Sequence, residues 1–169
     1  MIVPAIGTAA QMDVTNKHEG TIFVLDPTKL FVGQEALPTD AVLYAEVVGG
    51  AENEKYTTIA EAKAYVSWRT GLPSRVVQQQ APHLFVPGMT KWGGSVVRDG
   101  LVVAFGGVQA VFDEMISGWM ADAIIALCRD EMTKPDGVMA DSGSFIEASG
   151  HLSPEGVRLM GRAGLNAMG

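Results

Sequence analysis

Gly93-Gly94-Ser95-Val96-Val97-Arg98-Asp99-Gly100-Leu101-Val102-Val103-Ala104-Phe105-Gly106-Gly107-Val108 runs on into Asp113-Glu114, and its reading decides the fold. Asp99-Gly100 stands between two β-branched runs. That is the strongest short-range hairpin signal, because both central residues of the turn take positive φ. Gly106-Gly107 closes the second strand, and from Val111 to Lys134 apolar residues return at helical spacing. Phe112, Met115, Trp119, Ala123 and Leu127 form one apolar stripe of that helix, and Asp113, Ser117, Gly118, Ala121 and Asp122 a second face. Gly118 in mid-helix costs about 1 kcal/mol relative to alanine, which a close approach by another backbone or a ligand would justify.

Upstream of the hairpin, Thr21-Ile22-Phe23-Val24-Leu25 reads as a strand closed by Asp26-Pro27, and Ala41 to Val48 as another stopped by Gly49-Gly50. Thr58-Ile59-Ala60-Glu61 matches a capping box opening a helix that runs to Thr70, where Gly71 and Pro73 end it. On that helix Ile59, Lys63, Val66 and Thr70 share a face, so Lys63 stands in line with apolar neighbours. It is either a lysine snorkelling at the edge of the core or an ammonium aimed into a pocket to meet an anion. Ser74 to Trp92 reads as a long connection, and long ordered loops are often functional. Residues 1–20 are expected to be an N-terminal arm. Residues 21–169 are read as a single domain, with Pro135-Asp136-Gly137 stopping the long helix and Ser153-Pro154 opening a C-terminal helical extension. The element order predicts an α+β fold, an antiparallel sheet with helices packed on it.

Composition bounds the function. The 169 residues are 47% hydrophobic and 18% charged, as expected of an ordered globular protein. A net charge of −7 argues against nucleic acid and anionic membrane surfaces as partners. No apolar run is long enough to span a bilayer, and the N-terminus lacks a signal-peptide pattern. The single Cys128 excludes an internal disulfide and a cysteine-based zinc site, is expected to be a small buried hydrophobe, and fits a reducing cytoplasm. With 20 glycines and nine methionines, much apolar surface needs cover, and a homo-oligomer is expected.

The three histidines, His18, His83 and His151, show no metal-ligand spacing. Haem needs only one axial histidine, so His18 or His83 could serve. Neither Gly93-Gly94 nor Gly106-Gly107 carries a P-loop or dinucleotide spacing, and there is no Gly-x-Ser-x-Gly elbow. What remains is a mixed set: Lys63, Arg75, His83, Lys91, Trp92, Asp113 and Glu114. Cations beside a loop suit a carboxylate-bearing ligand, which arginine can hold through two parallel hydrogen bonds. Asp113 and Glu114 also have a plain role, since acidic residues in a first turn stabilise the helix dipole by about 0.3–1 kcal/mol each.

The succession Ala60-Glu61-Ala62-Lys63-Ala64-x-x-Ser67-x-Arg69-Thr70-Gly71-x-Pro73-Ser74, then Gly93-Gly94, then Gly100-x-Val102-Val103-Ala104-x-Gly106-Gly107-Val108 and Asp113-Glu114, resembles the GlcG/HbpS-like family. This is also called the haem-degrading domain family and includes the C-terminal domain of PduO-type proteins. The matching positions run from Ala41 to Met132. The resemblance implies a profilin-like α/β sandwich, a central antiparallel sheet flanked by helices, assembling as oligomers. It implies haem or small-molecule binding in a catabolic pathway, with Lys63, Gly93, Gly94, Asp113 and Glu114 at the family's recurrent positions.

Three functions follow as expectations. The first is a small-molecule- or haem-binding accessory protein, its ligand held by Lys63, Arg75, Lys91, Trp92, Gly93, Gly94 and Asp113. The second is an enzyme (lyase, isomerase or hydrolase) acting on a small carboxylate-bearing metabolite, with His83 and Glu114 transferring protons. The third is a structural subunit that assembles through the Gly118 face.

Overall fold

The computed structural model describes residues 15, 17, 19–49 and 54–134. Its strands are β1 (Gly20–Leu25), β2 (Val42–Val48), β3 (Ser95–Arg98) and β4 (Leu101–Gly106). Its α-helices are α1 (Glu54–Thr70), α2 (Ser74–Gln80) and α3 (Ala110–Thr133), with 3-10 turns at Thr39–Ala41 and Pro82–Leu84. The expected N-terminal arm lies almost wholly outside the described residues, as do His18, His151, the Pro135-Asp136-Gly137 stop and the C-terminal helix.

The hairpin forms as read. Asp99 and Gly100 take φ of 49° and 84°, and Arg98 pairs with Leu101, Val97 with Val102 and Val96 with Val103. β1 lies antiparallel between β4 and β2, giving the strand order β2-β1-β4-β3. Side chains alternate across a strand, so the central strands feed two cores. Phe23, Leu25, Val102 and Ala104 pack with Ala60, Ala64, Tyr65 and Trp68 of α1. Ile22, Val24, Val103 and Phe105 pack with Ile116 and Ala121 of α3. The chain is therefore an α+β sandwich, its antiparallel sheet flanked by helices. β2, at one edge, leaves Leu43, Tyr44 and Val47 exposed.

Four local expectations change. The helix begins at Glu54, upstream of the capping box, and the Thr58 hydroxyl donates to the Glu54 carbonyl at 2.9 Å. Thr58 thus satisfies its polar group from within a helix, as threonine can. Ser74 to Trp92 is not all loop, because Ser74–Gln80 winds into α2, started by Pro73. The buried face of α3 holds Asp113, Ser117, Gly118 and Ala121 of the second face together with Ile116, while Asp122 is exposed. Phe112, Met115 and Ala123 of the expected apolar stripe are only half-buried, and Trp119 is exposed. Asp113 faces inward because it has a cation to meet.

The described residues up to Ile125 form one compact unit, and those from Ala126 belong to a second. Within that second unit, Lys134 pairs with Asp130 and Glu131, and Thr133 donates to the Arg129 and Asp130 carbonyls. Cys128 is exposed rather than the buried hydrophobe expected, since residues 126–134 are all exposed and give it no cover.

Candidate functional site

Lys63 organises the site. It projects from α1 with 1% exposure, and its Nζ donates to Asp113 Oδ2 at 2.5 Å and to the Phe105 carbonyl at 3.1 Å. Lys63 therefore does not snorkel at the core edge but is buried against a carboxylate of the same chain. Asp113 Oδ1 in turn accepts the Val108 N–H at 3.1 Å. One side chain therefore ties down a backbone donor at the start of α3 and pairs with the lysine. Burial pulls both groups toward their neutral forms, Lys63 downward and Asp113 upward from their ordinary values, and their mutual attraction offsets part of each shift.

Gly94 makes room for the pair. Its φ is +132°, and a Cβ there would come within 2.7 Å of both Asp113 Cβ and Lys63 Nζ. A buried serine network frames it. Ser117 Oγ donates to the Gly94 carbonyl at 2.7 Å, Ser95 N–H to Ser74 Oγ at 3.0 Å, and Ser95 Oγ to the Lys63 carbonyl at 2.9 Å. Because Ser95 has one hydroxyl proton, Ser67 Oγ must be the donor in its 2.8 Å contact with Ser95 Oγ.

Beside the ion pair opens a cavity of about 420 Å³. Lys55, Tyr56, Ile59 and Lys63 of α1, Gly107 to Ala110 and Asp113 around the start of α3, Lys17 and Trp92 line it. Lys17 Nζ lies 5.0 Å from the Tyr56 ring centre and donates to the Tyr56 hydroxyl at 2.9 Å, a bond that raises its pKa. Gln109 and Ala110 add the positive end of the α3 dipole. Three lysines thus meet one carboxylate, which Lys63 already neutralises. Trp92, 60% exposed, and Tyr56 supply flat apolar surface.

Of the expected residues, Lys63, Trp92 and Asp113 come together here, with Gly94 behind them. Arg75, Gly93 and Glu114 line a second cavity of about 390 Å³ with Gln78, Gln79 and Met115. There Arg75 Nε donates to both Glu114 oxygens, at 3.0 and 2.9 Å, so the expected anion-binding cation and the expected proton donor occupy one another. His83 and Lys91 are exposed and line neither cavity. Of the two histidines expected to serve a haem, His83 is exposed and lines neither cavity, and His18 lies outside the described residues. Among the described residues no group of three or more potential metal ligands occurs. A Cβ built on Gly118 meets no atom within 4 Å, so nothing described approaches it.

Lys17, Lys55, Tyr56 and Ile59 were missed. Once the helix starts at Glu54, Lys55, Ile59 and Lys63 fall at i, i+4 and i+8, a signal present in the sequence. Lys17 carries none, since only the fold brings it to Tyr56.

No protein-family model matches the sequence, and no curated protein does. Among solved structures, the chain is similar to the crystal structure of Ybr137w protein, with a TM-score of 0.50 and 17% identity over 75% of this chain and 76% of that one. At that identity the likeness shows the fold alone: an α+β sandwich built on an antiparallel sheet.

Proposed function

We propose that this chain is a small-molecule-binding protein whose ligand is a small carboxylate, held in the cavity beside Lys63 and Asp113. One observation carries the reading: Lys17 and the positive end of the α3 dipole face a cavity of about 420 Å³ walled by Trp92, Tyr56 and Ile59, in a chain of net charge −7. A lysine and a helix start beside an apolar-walled cavity favour an anionic ligand there. Trp92, Tyr56 and Ile59 would cover the carbon skeleton, and Lys17 the carboxylate, as apolar walls with a few polar anchors do in ligand pockets. In the second cavity Arg75 is paired with Glu114.

Calorimetric titration with malonate, succinate and pyruvate, against their uncharged amides, tests this. Saturable binding of at least one carboxylate, weakened about tenfold by Lys17→Gln (about 1.4 kcal/mol) and by Trp92→Ala, is expected. Equal binding of the amides, or no saturable binding at all, overturns it.

Self-association belongs to the same reading. The exposed Leu43, Tyr44 and Val47 on β2 and Trp119 on α3 support it, and sedimentation should show one discrete mass above the 17.9 kDa of the chain. A monomer at all concentrations contradicts it. The single cysteine supports work in a reducing cytoplasm. Among the described residues no helix is long and apolar enough to cross a membrane.

A further inference from the structure

We propose that Lys63 is a nucleophilic amine, forming an imine with a 2-oxo acid bound in the cavity, with Asp113 as its proton partner. The inference rests on the carboxylate-binding reading and names the substrate class and the chemistry of that same site.

The placement of Lys63 argues for it. Its side chain is buried, yet it forms part of the wall of a cavity large enough for a small metabolite. A purely structural ion pair in a core is often no better than apolar residues of similar volume, so a buried lysine at a cavity wall calls for a use. Lysine can lose its proton, whereas arginine stays charged. The Asp113 carboxylate stands 2.5 Å from Nζ and is positioned to receive that proton. Gly94 completes the space, since any side chain there would collide with Nζ and with Asp113. Lys17 gives the ligand's carboxylate a second cation, so that its carbonyl carbon can turn to Lys63. Burial, which lowers Lys63 and raises Asp113, works in the same direction by favouring the amine and the acid.

The step balances. The ammonium passes one proton to Asp113, and the amine nitrogen attacks the carbonyl carbon. The carbonyl oxygen takes up protons from Asp113 and from the nitrogen and leaves as water. One C–O double bond is lost and one C–N double bond formed. The product is a protonated imine whose positive charge replaces that of the ammonium beside the Asp113 carboxylate. No oxidant or reductant takes part.

The test uses the full chain with pyruvate and cyanoborohydride, which reduces a protonated imine to a stable secondary amine, followed by peptide mapping by mass spectrometry. The expected result is one reduced pyruvate unit per chain, on Lys63, saturating with pyruvate and suppressed by malonate. No adduct on Lys63, or adducts scattered over exposed lysines such as Lys17 and Lys91 and indifferent to malonate, overturns the proposal. Titration of pyruvate without reductant separates the two readings. Saturable binding without a Lys63 adduct leaves the carboxylate site standing and removes the imine, whereas no binding and no adduct remove both. Lys63→Arg should keep the fold and abolish trapping. Asp113→Asn should slow trapping at least tenfold and change its pH profile, a readout that a merely structural carboxylate would not move.

Discussion

Lys63, Asp113 and Gly94 are three residues with one energetic problem. An ammonium with a side chain 2% exposed and a carboxylate at 3% cost several kcal/mol each to desolvate, and only their contact and hydrogen bonds repay it. Removing one partner should therefore cost far more than removing both. Lys63→Met alone is expected to destabilise by about 3–5 kcal/mol, because it strands a buried carboxylate, whereas Lys63→Met with Asp113→Leu should recover most of that loss. Urea unfolding of the two variants checks it, and equal losses would show that the pair is not coupled. Gly94→Ala forces a side chain into positive φ and into Asp113 and Lys63, so a loss of about 2–4 kcal/mol is expected. Retained stability would mean that the backbone there moves freely.

At the scale of elements, the β3–β4 hairpin and α3 make opposite points. The turn is local: Gly100 at φ +84° is needed whatever surrounds it, and Gly100→Val should cost about 1–2 kcal/mol in thermal unfolding. The α3 helix is not local. Its face with Asp113 and Ser117 turns inward because Asp113 meets Lys63 and Ser117 meets Gly94, joined by Ile116, while Val111 and Trp119 turn outward. The open space in front of Gly118 gives a direct prediction. Gly118→Ala should stabilise the chain by about 1 kcal/mol through helix propensity. If it instead destabilises the chain and lowers the mass in sedimentation, another backbone sits against that face.

For the whole molecule, the decisive contrast is between a net charge of −7 and a cavity where Lys17 and the start of α3 stand beside apolar walls. A ligand that binds only the folded chain stabilises it by mass action. A carboxylate at a hundredfold its Kd should add about 2.7 kcal/mol and raise the melting temperature by roughly 5–11 °C for a chain of this size. The neutral amide should give no shift, and an equal shift would remove charge as the basis of recognition. The fold was legible where the signals are local. The Asp99-Gly100 turn, β1, β2 and the Gly71 stop follow from backbone sterics and side-chain period, which neighbours in sequence set by themselves. The site was legible only in part. Lys63, Trp92, Asp113 and Gly94 could be singled out, but Arg75 and Glu114 cancel each other, and His83 stands exposed outside both cavities. The sequence by itself determined the strands, the hairpin, the helix that carries Lys63 and the acidic start of α3. Only the tertiary structure decided that Lys63 would find Asp113 fifty residues away, that α3 would bury Asp113 and Ser117, and that Lys17 would arrive beside Tyr56. Burial and charge pairing act between residues distant in sequence, and no local pattern records which cation will be taken out of water beside which anion.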